Sequence, residues 1–220
     1  MIFDVHSHNC SASSIRNFTV SDVNRLSIDY IEKFPHLFTA GIHPWELNEK
    51  SYEKDLELLR KVWTIKNCVG VGEFGFDKIK GPSLALQEKC FKEHIEYLHS
   101  SKKKMVGILH VVKSYNELEN HLKEDIPFII HDFNTSDQMT KSLLKQGNLY
   151  FSVGNALFRN NSKIRSALEL IPAERVFLET DDTGKKIEEV FEKFIEVTNL
   201  KCSVSMLMEE KARNFDSLIK

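Results

Sequence analysis

The sequence has no long hydrophobic run. Nowhere in its 220 residues do the ~18 consecutive apolar residues of a membrane-spanning helix occur. The first ten residues, "MIFDVHSHNC", contain an aspartate and two histidines, whereas the core of a secretory signal is uniformly apolar. These absences argue against a membrane protein and a secreted one. We therefore expect a soluble, cytoplasmic protein, and the sequence indicates no obligate protein partner.

Closely paired cysteines are also missing. The four cysteines are widely spaced and form no C-x-x-C pair, which argues against a cysteine-based zinc site. Such spacing suits reduced thiols in a cytosolic protein better than a disulfide framework. We interpret all four as structural thiols: Cys10, Cys68, Cys90 and Cys202.

The chain has little net charge of either sign. Its 30 lysines and arginines nearly balance 32 aspartates and glutamates, which leaves a formal charge of −2. The broad basic surface typical of tight duplex binding is therefore absent. A polyanionic substrate would have to be attracted locally, by metal ions or by a few lysines. If the partner is a nucleic acid, this charge balance favours short or single-stranded ends over tight duplex binding.

Short apolar runs recur along the whole chain. Most of them do not alternate with polar residues, which is typical of strands buried on both faces of a parallel sheet. We count eight such runs and predict a strand in each. In chain order they are "MIFDV", "FTVSDV", "HLFTAGI", "CVGVG", "MVGIL", "IPFII", "LYFSV" and "RVFLE".

Amphipathic helices are predicted between the later runs. Apolar residues recur at helical spacing in two segments, and two further helices are predicted near 185–198 and 203–218. "SYNE" at 114–117 resembles a capping box, and Gly147 is the expected stop of the helix that contains "KSLLKQ". The spaced apolar residues are Tyr52, Leu56, Leu59 and Trp63, and Leu84, Phe91, Ile95 and Leu98.

Alternating strands and helices indicate a parallel α/β fold. Eight strands favour closure into a compact or irregular (β/α)8 TIM barrel, and 220 residues is near the lower limit for that fold. No long helix is predicted between the first strands. No composition break divides the chain, so we expect a single domain over residues 1–220.

Histidines and carboxylates follow many of the predicted strands. The carboxyl ends of all strands in a parallel barrel meet at one face, so these side chains should converge there. Imidazole and carboxylate groups are ligands of divalent cations, which predicts one or two metal ions. Four other histidines, His36, His94, His99 and His121, are interpreted as solvent-facing. The strand-end residues are His6, His8, His43, Glu73, His110, His131, Asp181 and Asp182.

The spacing of His6 and His8 is informative in itself. Residues two apart on a strand share one face, with Ser7 directed the other way. A single rigid strand can therefore offer two nitrogens to one cation.

Four short blocks occur in order along the chain: "DVHSH", "GIHPW", "VGEFGFD" and "LETDD". Together they resemble the TatD family of metal-dependent hydrolases. The resemblance extends to "EEKARNFDSLI" near the end of the chain. It implies an amidohydrolase-like TIM barrel and a deoxyribonuclease activity.

The resemblance implies a site for one or two divalent cations, zinc, magnesium or manganese, with Glu73 as a bridging carboxylate. One cation would be held by residues from the first and last strands. The other would be completed by residues from two strands in between. The ligands of the first cation would be His6, His8 and Asp181, and those of the second would be His110 and His131.

Catalytic and substrate-binding roles follow from the chemistry of these residues together with the resemblance. Glu73 would fix the separation of the cations, and Asp181 would orient the attacking water and take its proton. His43 would lie near the site and contact the substrate without being a ligand. Lys113, in "LHVVKS", is the candidate for contacting a phosphate.

The expected reaction is hydrolysis of phosphodiester bonds by a metal-activated water, with DNA or another phosphoester as substrate. "HDFNTS" and "ETDDT" depart from the family's "HCFSGS" and "ETDSP" on the substrate side. Other chemistries therefore stay open on the same barrel: a phosphatase, an amidase, a lactonase or a catalytically silent binding module. "GIHPW" and "GEFGFD" argue against a phosphatase of the kind that also begins with an H-x-H strand.

Overall fold

A sheet of eight parallel strands forms the centre of the protein. The structure is a computed structural model that describes residues 1, 3–122 and 125–220. Within these residues each strand pairs with its neighbours in chain order. The strands are β1 Asp4–Ser7, β2 Ser14–Thr19, β3 Phe38–Gly41, β4 Cys68–Asp77, β5 Val106–Val112, β6 Phe128–Ile130, β7 Leu149–Val153 and β8 Val176–Leu178.

The first and last strands meet, so the sheet is nearly closed into a barrel. The His8 N–H donates to the Asp181 carbonyl at 3.1 Å, and the Asp181 N–H donates to the His6 carbonyl at 3.0 Å. Ser7 and Asp181 form the parallel bridge at this seam. The prediction of a single-domain (β/α)8 barrel is confirmed.

Helices follow most strands and pack outside the barrel. The early connections contain only short helices, as expected from the sequence. Among the described residues, no helix combines the length and apolarity needed to cross a membrane. The helices are α1 Val20–Leu26, α2 Ile28–Glu32, α3 Tyr52–Trp63, α4 Leu84–Ser100, α5 Tyr115–Glu119, α6 Asp137–Leu143, α7 Ile164–Leu170, α8 Ile187–Thr198 and α9 Val204–Ile219.

The second predicted strand was misplaced. β2 is "SIRNFT", and "VSDV" begins α1 instead of continuing the strand. Thr19 marks the boundary, because its side chain accepts a hydrogen bond from the Asp22 N–H at 3.3 Å. Val20 and Val23 are buried at helical spacing. One apolar run therefore spans the end of a strand and the start of a helix.

Two predicted helix signals do not act as expected. Ser114 precedes α5, but its hydroxyl donates to the Phe76 carbonyl at 2.7 Å and forms no capping hydrogen bond with the helix. α6 ends at Leu143, and Gly147 lies beyond it in the turn before β7. Ser114 therefore joins the start of α5 to β4 instead of capping the helix, and Gly147 is not the stop of α6.

An apolar layer lies beneath the strand ends. Side chains alternate along a strand, so Ile108 projects to the same side as His110, and Ile129 to the same side as His131. Both isoleucines are fully buried, and they belong to a cluster that includes Phe177. A larger apolar cluster packs the helices against the sheet. The polar side chains at the strand ends therefore lie above a close-packed apolar layer, which fixes their positions.

The histidines outside the strand ends are less exposed than predicted. His94 is fully buried in α4, where its Nε2 accepts the Ile42 N–H at 3.2 Å. His121 is partly buried and stacks on Phe76 with ring centroids 5.9 Å apart. His36 is partly buried, and only His99 among these four is exposed. The prediction of solvent-facing side chains is therefore wrong for His94.

All four cysteines are free thiols. Cys68 and Cys90 are buried, and burial raises the pKa of each thiol to about 12. Cys10 is exposed on the loop after β1, so packing gives it no structural role there.

Candidate metal centre

Glu73 lies at the centre of a group of histidines at the carboxyl end of the barrel. Among the described residues, five imidazoles lie within 4 Å of its carboxylate. Oε1 lies 2.7 Å from His110 Nδ1, 2.7 Å from His131 Nε2 and 3.2 Å from His43 Nε2. Oε2 lies 3.4 Å from His6 Nε2 and 3.7 Å from His8 Nε2. Each oxygen of Glu73 therefore faces a different set of nitrogens.

Asp181 completes the group on the Oε2 side. Its Oδ1 lies 3.5 Å from His6 Nε2 and 3.5 Å from His8 Nε2. His6, His8 and Asp181 thus offer three ligand atoms that all lie within 4.8 Å of one another. The seam between β1 and β8 creates this grouping, because it places Asp181 beside the first strand.

The long strand β4 carries Glu73 to this position. Gly75 has a φ of +152°, and a Cβ there would lie 2.0 Å from the His110 carbonyl oxygen. The second glycine of "GEFGFD" therefore allows β4 and β5 to approach closely, which brings Glu73 beside His110. The "GEFGFD" motif therefore contributes the Glu73 carboxylate and also a glycine that allows the close backbone contact.

The tautomer of His110 is set from behind by Asp77. His110 Nε2 lies 3.3 Å from Asp77 Oδ2, so this nitrogen carries the proton and donates it to the carboxylate. The lone pair of Nδ1 is then directed into the site. A carboxylate behind a histidine ligand is a common arrangement in metal sites, because it fixes the ring and raises its basicity.

Glu179 occupies a similar place behind His131. Its Oε1 lies 3.8 Å from His131 Nδ1 and accepts the Asp132 N–H at 2.6 Å. Ser152 Oγ donates to the other oxygen of Glu179. Sequence reasoning missed both Glu179 and Asp77, although each lies in a quoted block, "LETDD" and "VGEFGFD". The available signal was their spacing, because Glu179 lies two residues before Asp181 and Asp77 lies four residues after Glu73.

His43 directs its protonated nitrogen at Glu73, whereas His110 directs its unprotonated one. Its Nδ1 accepts the Trp45 N–H at 3.0 Å, so the proton lies on Nε2. Nε2 is therefore a hydrogen-bond donor toward Glu73 Oε1, although His43, Glu73 and His110 lie close enough together to form a group that could hold a cation. The expectation that His43 lies near the metal ligands without being one stays a prediction.

The arrangement fits divalent cations. His110 Nδ1 and His131 Nε2 are 3.1 Å apart, and both lie 2.7 Å from the same Glu73 oxygen. Such close nitrogen and oxygen atoms need a positive charge among them, which a proton or a metal ion supplies. Among the described residues, both ring nitrogens of buried His6 lack a hydrogen-bond partner. The mixed nitrogen and oxygen donors suit zinc, manganese or magnesium.

The charges in the site are strongly coupled. Burial alone would lower the pKa of His6, but Asp181 and Glu73 raise it to about 9. Burial would raise the pKa of Asp181, but His6 lowers it to about 2. The neighbouring histidines likewise hold the pKa of Glu73 well below its usual range. Both carboxylates are therefore ionised at neutral pH, as metal ligands must be.

Asp4 joins the first strand to the segment after β8. Its carboxylate accepts the Thr180 N–H at 3.1 Å and the Thr180 hydroxyl at 2.6 Å. Asp4 is buried, and burial raises its pKa to about 7. It lies two residues before His6, and Thr180 immediately precedes Asp181. Sequence reasoning missed this residue, although "DVH" places a carboxylate next to the histidine pair.

The strand ends surround a cavity of about 380 Å³. Lys113 does not line it: this residue is exposed, with a φ of +52°, just after β5. Asp182 lines the cavity but belongs to none of the three-residue groups that could hold a cation. The residues that line it are His8, Thr19, His43, Trp45, Glu46, Glu73, His110, His131, Asp181 and Asp182.

A nearly closed parallel barrel with clustered imidazoles and carboxylates at its carboxyl end is typical of metal-dependent hydrolases of the TIM-barrel type. The family model described as TatD related DNase matches residues 5–220. The chain belongs to this family. Sequence reasoning reached the same family from four short blocks.

The similar proteins include two named as metal-dependent hydrolases and one named as a deoxyribonuclease homologue. An uncharacterized metal-dependent hydrolase of Mycoplasma genitalium is 29% identical over 210 residues, which cover 81% of this chain and 79% of the relative. An uncharacterized metal-dependent hydrolase of Bacillus subtilis is 24% identical, with 82% and 80% covered. A Vairimorpha ceranae protein, provisionally named as a deoxyribonuclease TATDN1 homologue, is 26% identical, with 79% and 62% covered.

Solved structures share the fold. A TatD homologue from Escherichia coli superposes with a TM-score of 0.72 at 20% identity, covering 94% of this chain and 85% of the other. A TatD family hydrolase from Entamoeba histolytica gives 0.73 at 16% identity, covering 94% and 84%. These superpositions show a TatD-type barrel, and the family match and the named relatives identify the protein as a metal-dependent hydrolase.

Proposed function

We propose that the protein is a deoxyribonuclease that hydrolyses phosphodiester bonds in short or single-stranded DNA with the aid of two divalent cations. The observation that carries the proposal is the position of Glu73, whose two oxygens face two separate sets of ligand atoms. The family description and the name of the Vairimorpha relative support the nuclease assignment.

The proposed ligands divide at Glu73. One cation would be held on the Oε2 side, and the other on the Oε1 side. When bound, such a pair of cations lowers the pKa of water toward neutrality and neutralises charge on a phosphoryl oxygen. The proposed ligands on the Oε2 side are His6, His8 and Asp181, and those on the Oε1 side are His110 and His131. Glu73 is shared by both sites.

Asp181 is proposed to orient the attacking water. Its carboxylate is ionised at neutral pH, and about a quarter of its side chain is exposed to the cavity. It can therefore accept a hydrogen bond from a water and direct the oxygen at the substrate, and it takes the proton as the bond forms.

His43 is proposed to bind the substrate phosphate as a donor. The Trp45 backbone N–H keeps the ring proton of His43 on Nε2, 3.2 Å from Glu73 Oε1, and the His43 side chain lines the cavity. A neutral N–H directed at the reacting group can stabilise the charge that develops on a phosphoryl oxygen. Lys113 stands outside the cavity, so we propose that it contacts a phosphate further along the substrate.

The proposal is tested by a side-by-side substrate screen. Purified protein would be assayed with single-stranded DNA, a phosphodiester, a phosphomonoester, a lactone and an amide, each with added Mg²⁺, Mn²⁺ or Zn²⁺. We expect turnover of DNA and the diester, and its loss in chelator. Turnover of only the lactone or the amide would contradict the proposal. The cytoplasmic location expected from the sequence stays a prediction.

A further inference from the structure

Trp45 is a large aromatic side chain exposed at the mouth of the cavity. Its side chain is 50% exposed, whereas Trp63, the other tryptophan of the sequence, is 1% exposed. Trp45 lines the same cavity as Glu73 and Asp181. The indole therefore presents an apolar surface next to the atoms proposed to carry out the reaction.

The indole is held in place, in contrast to most exposed side chains. Its Nε1–H donates to Asp77 Oδ2 at 2.7 Å. The ring also packs edge-to-face against His43 and His110, with centroid separations of 4.8 Å and 5.7 Å. Its distance from the reacting centre is thus fixed before any substrate arrives, which reduces the entropy lost on binding.

A cation accompanies the exposed ring. Lys80 Nζ lies 3.6 Å from the Trp45 ring centroid, and Lys80 is an exposed residue. Its long, flexible stem lets the ammonium move from the ring to a nearby anion. Ring and cation together match a planar group and a phosphate, which are the two parts of a nucleotide.

We propose that Trp45 is a specificity-determining residue that stacks on the nucleobase next to the scissile phosphate, while Lys80 pairs with the following phosphate. This inference rests on the proposed nuclease function. Aromatic side chains bind single-stranded nucleic acid by stacking on bases, and such binding tolerates any base sequence. A chain with a net charge of −2 needs local contacts of this kind to hold a polyanion.

A purely structural role for Trp45 makes a different prediction. If the indole served only to hold Asp77, and through it His110, its loss would lower kcat for every substrate. If the indole binds a base, its loss raises KM for substrates that carry a base. The two roles therefore separate when matched substrates with and without a base are compared.

The first test measures binding by tryptophan fluorescence. Protein is titrated with thymidine 5′-monophosphate and, separately, with 2-deoxyribose 5-phosphate, which lacks only the base. We expect the nucleotide to quench the emission and to bind about tenfold more tightly than the sugar phosphate. In Trp45→Phe the remaining tryptophan is buried Trp63, so the quenching should disappear. Equal effects of the two probes, or quenching that persists in Trp45→Phe, would overturn the inference.

The second test measures hydrolysis of thymidine 5′-(p-nitrophenyl phosphate) and methyl p-nitrophenyl phosphate, which share one leaving group. We expect Trp45→Leu to raise KM for the thymidine substrate relative to KM for the methyl substrate about tenfold. Trp45→Phe should raise this ratio less, because phenylalanine retains an aromatic ring. An unchanged ratio with a lower kcat on both substrates would overturn base stacking. If the wild-type protein hydrolysed neither substrate, the proposed function would fail, and the fluorescence titration would still decide whether Trp45 binds a base.

Discussion

Asp4 and Thr180 connect the two edges of the barrel directly at the metal centre. The Thr180 hydroxyl lies 2.6 Å from Asp4 Oδ2, and the Thr180 N–H donates to Oδ1 at 3.1 Å. Both side chains are buried. His6 follows Asp4 by two residues, and Asp181 follows Thr180 directly, so this pair sets the distance between two proposed ligands.

Breaking this pair should destabilise the fold and loosen the site. Asp4→Ala removes the acceptor of the buried Thr180 N–H and leaves the Thr180 hydroxyl with only Ser7 Oγ, 3.0 Å away, which should cost about 1–3 kcal/mol of unfolding free energy. Chemical denaturation of Asp4→Ala, Thr180→Val and the double variant measures the coupling between the two residues. Strictly additive losses would show that the pair does not act as a unit.

Asp181→Asn should separate metal binding from turnover. The amide keeps an oxygen as a ligand but cannot accept the proton of the attacking water, so kcat should fall by about 10²-fold or more. Metal content, measured by elemental analysis, should stay close to the wild-type value. His6→Ala serves as the contrasting variant, because it removes a ligand and should lower metal content itself. Unchanged turnover in Asp181→Asn would remove this residue from the mechanism.

Asp77→Asn should weaken metal binding through His110. An amide at this position can donate to His110 Nε2, which moves the ring proton to Nδ1 and blocks the ligand lone pair. Loss of such a partner typically costs 10–100-fold in metal affinity, roughly. Calorimetric titration with Zn²⁺ measures the change. Glu88→Gln is the control, since Glu88 pairs with Lys92 at 2.7 Å on the outside of α4, and it should bind metal normally.

His94 should make stability sensitive to acid. Burial lowers the pKa of His94 from 6.5 to about 4, although the hydrogen bond from its Nδ1 to the Cys90 carbonyl acts in the opposite direction. The ring is therefore neutral at pH 7, and its Nε2 accepts the Ile42 N–H. The unfolded chain takes up a proton first, so unfolding free energy should fall as pH drops from about 6.5 toward 4. The slope from this group should approach about 1.4 kcal/mol per pH unit.

Comparison of variants isolates this contribution. His94→Gln retains an acceptor for the Ile42 N–H but does not titrate, so the stability curve should become flatter between pH 6.5 and 4. His99→Gln changes an exposed histidine on the same helix and should retain the wild-type slope. A slope in His94→Gln as steep as in the wild type would contradict the assignment.

The barrel and the convergence of the strand ends could be predicted from sequence because both follow from periodicity. Apolar runs defined the sheet, and residues directly after them, such as Glu73, His110 and His131, had to meet at one end. The β2 error arose where "FTVSDV" crosses from strand to helix without a change in apolar character. Local composition does not mark such a boundary.

The burial of His94 and the hydrogen bonds of Asp77 could not be predicted from residue type. His94 lies three residues after Phe91 and four before Leu98, on the buried stripe of α4, but its polar character suggested exposure. Asp77 was visible in "GEFGFD", yet its hydrogen bonds to Trp45 and His110 depend on three-dimensional proximity. Tautomers and supporting carboxylates are set by tertiary contacts between distant segments, so a single sequence does not specify them.

The central claim is that Glu73 serves two cation sites, one at each carboxylate oxygen. Its most direct test is calorimetric titration of metal-stripped protein with Mn²⁺ or Zn²⁺, supported by elemental analysis, for the wild type and Glu73→Gln. The account predicts two cations per wild-type chain and weakened binding at both sites in the variant. A single cation per wild-type chain, or two cations bound equally well by Glu73→Gln, would contradict it.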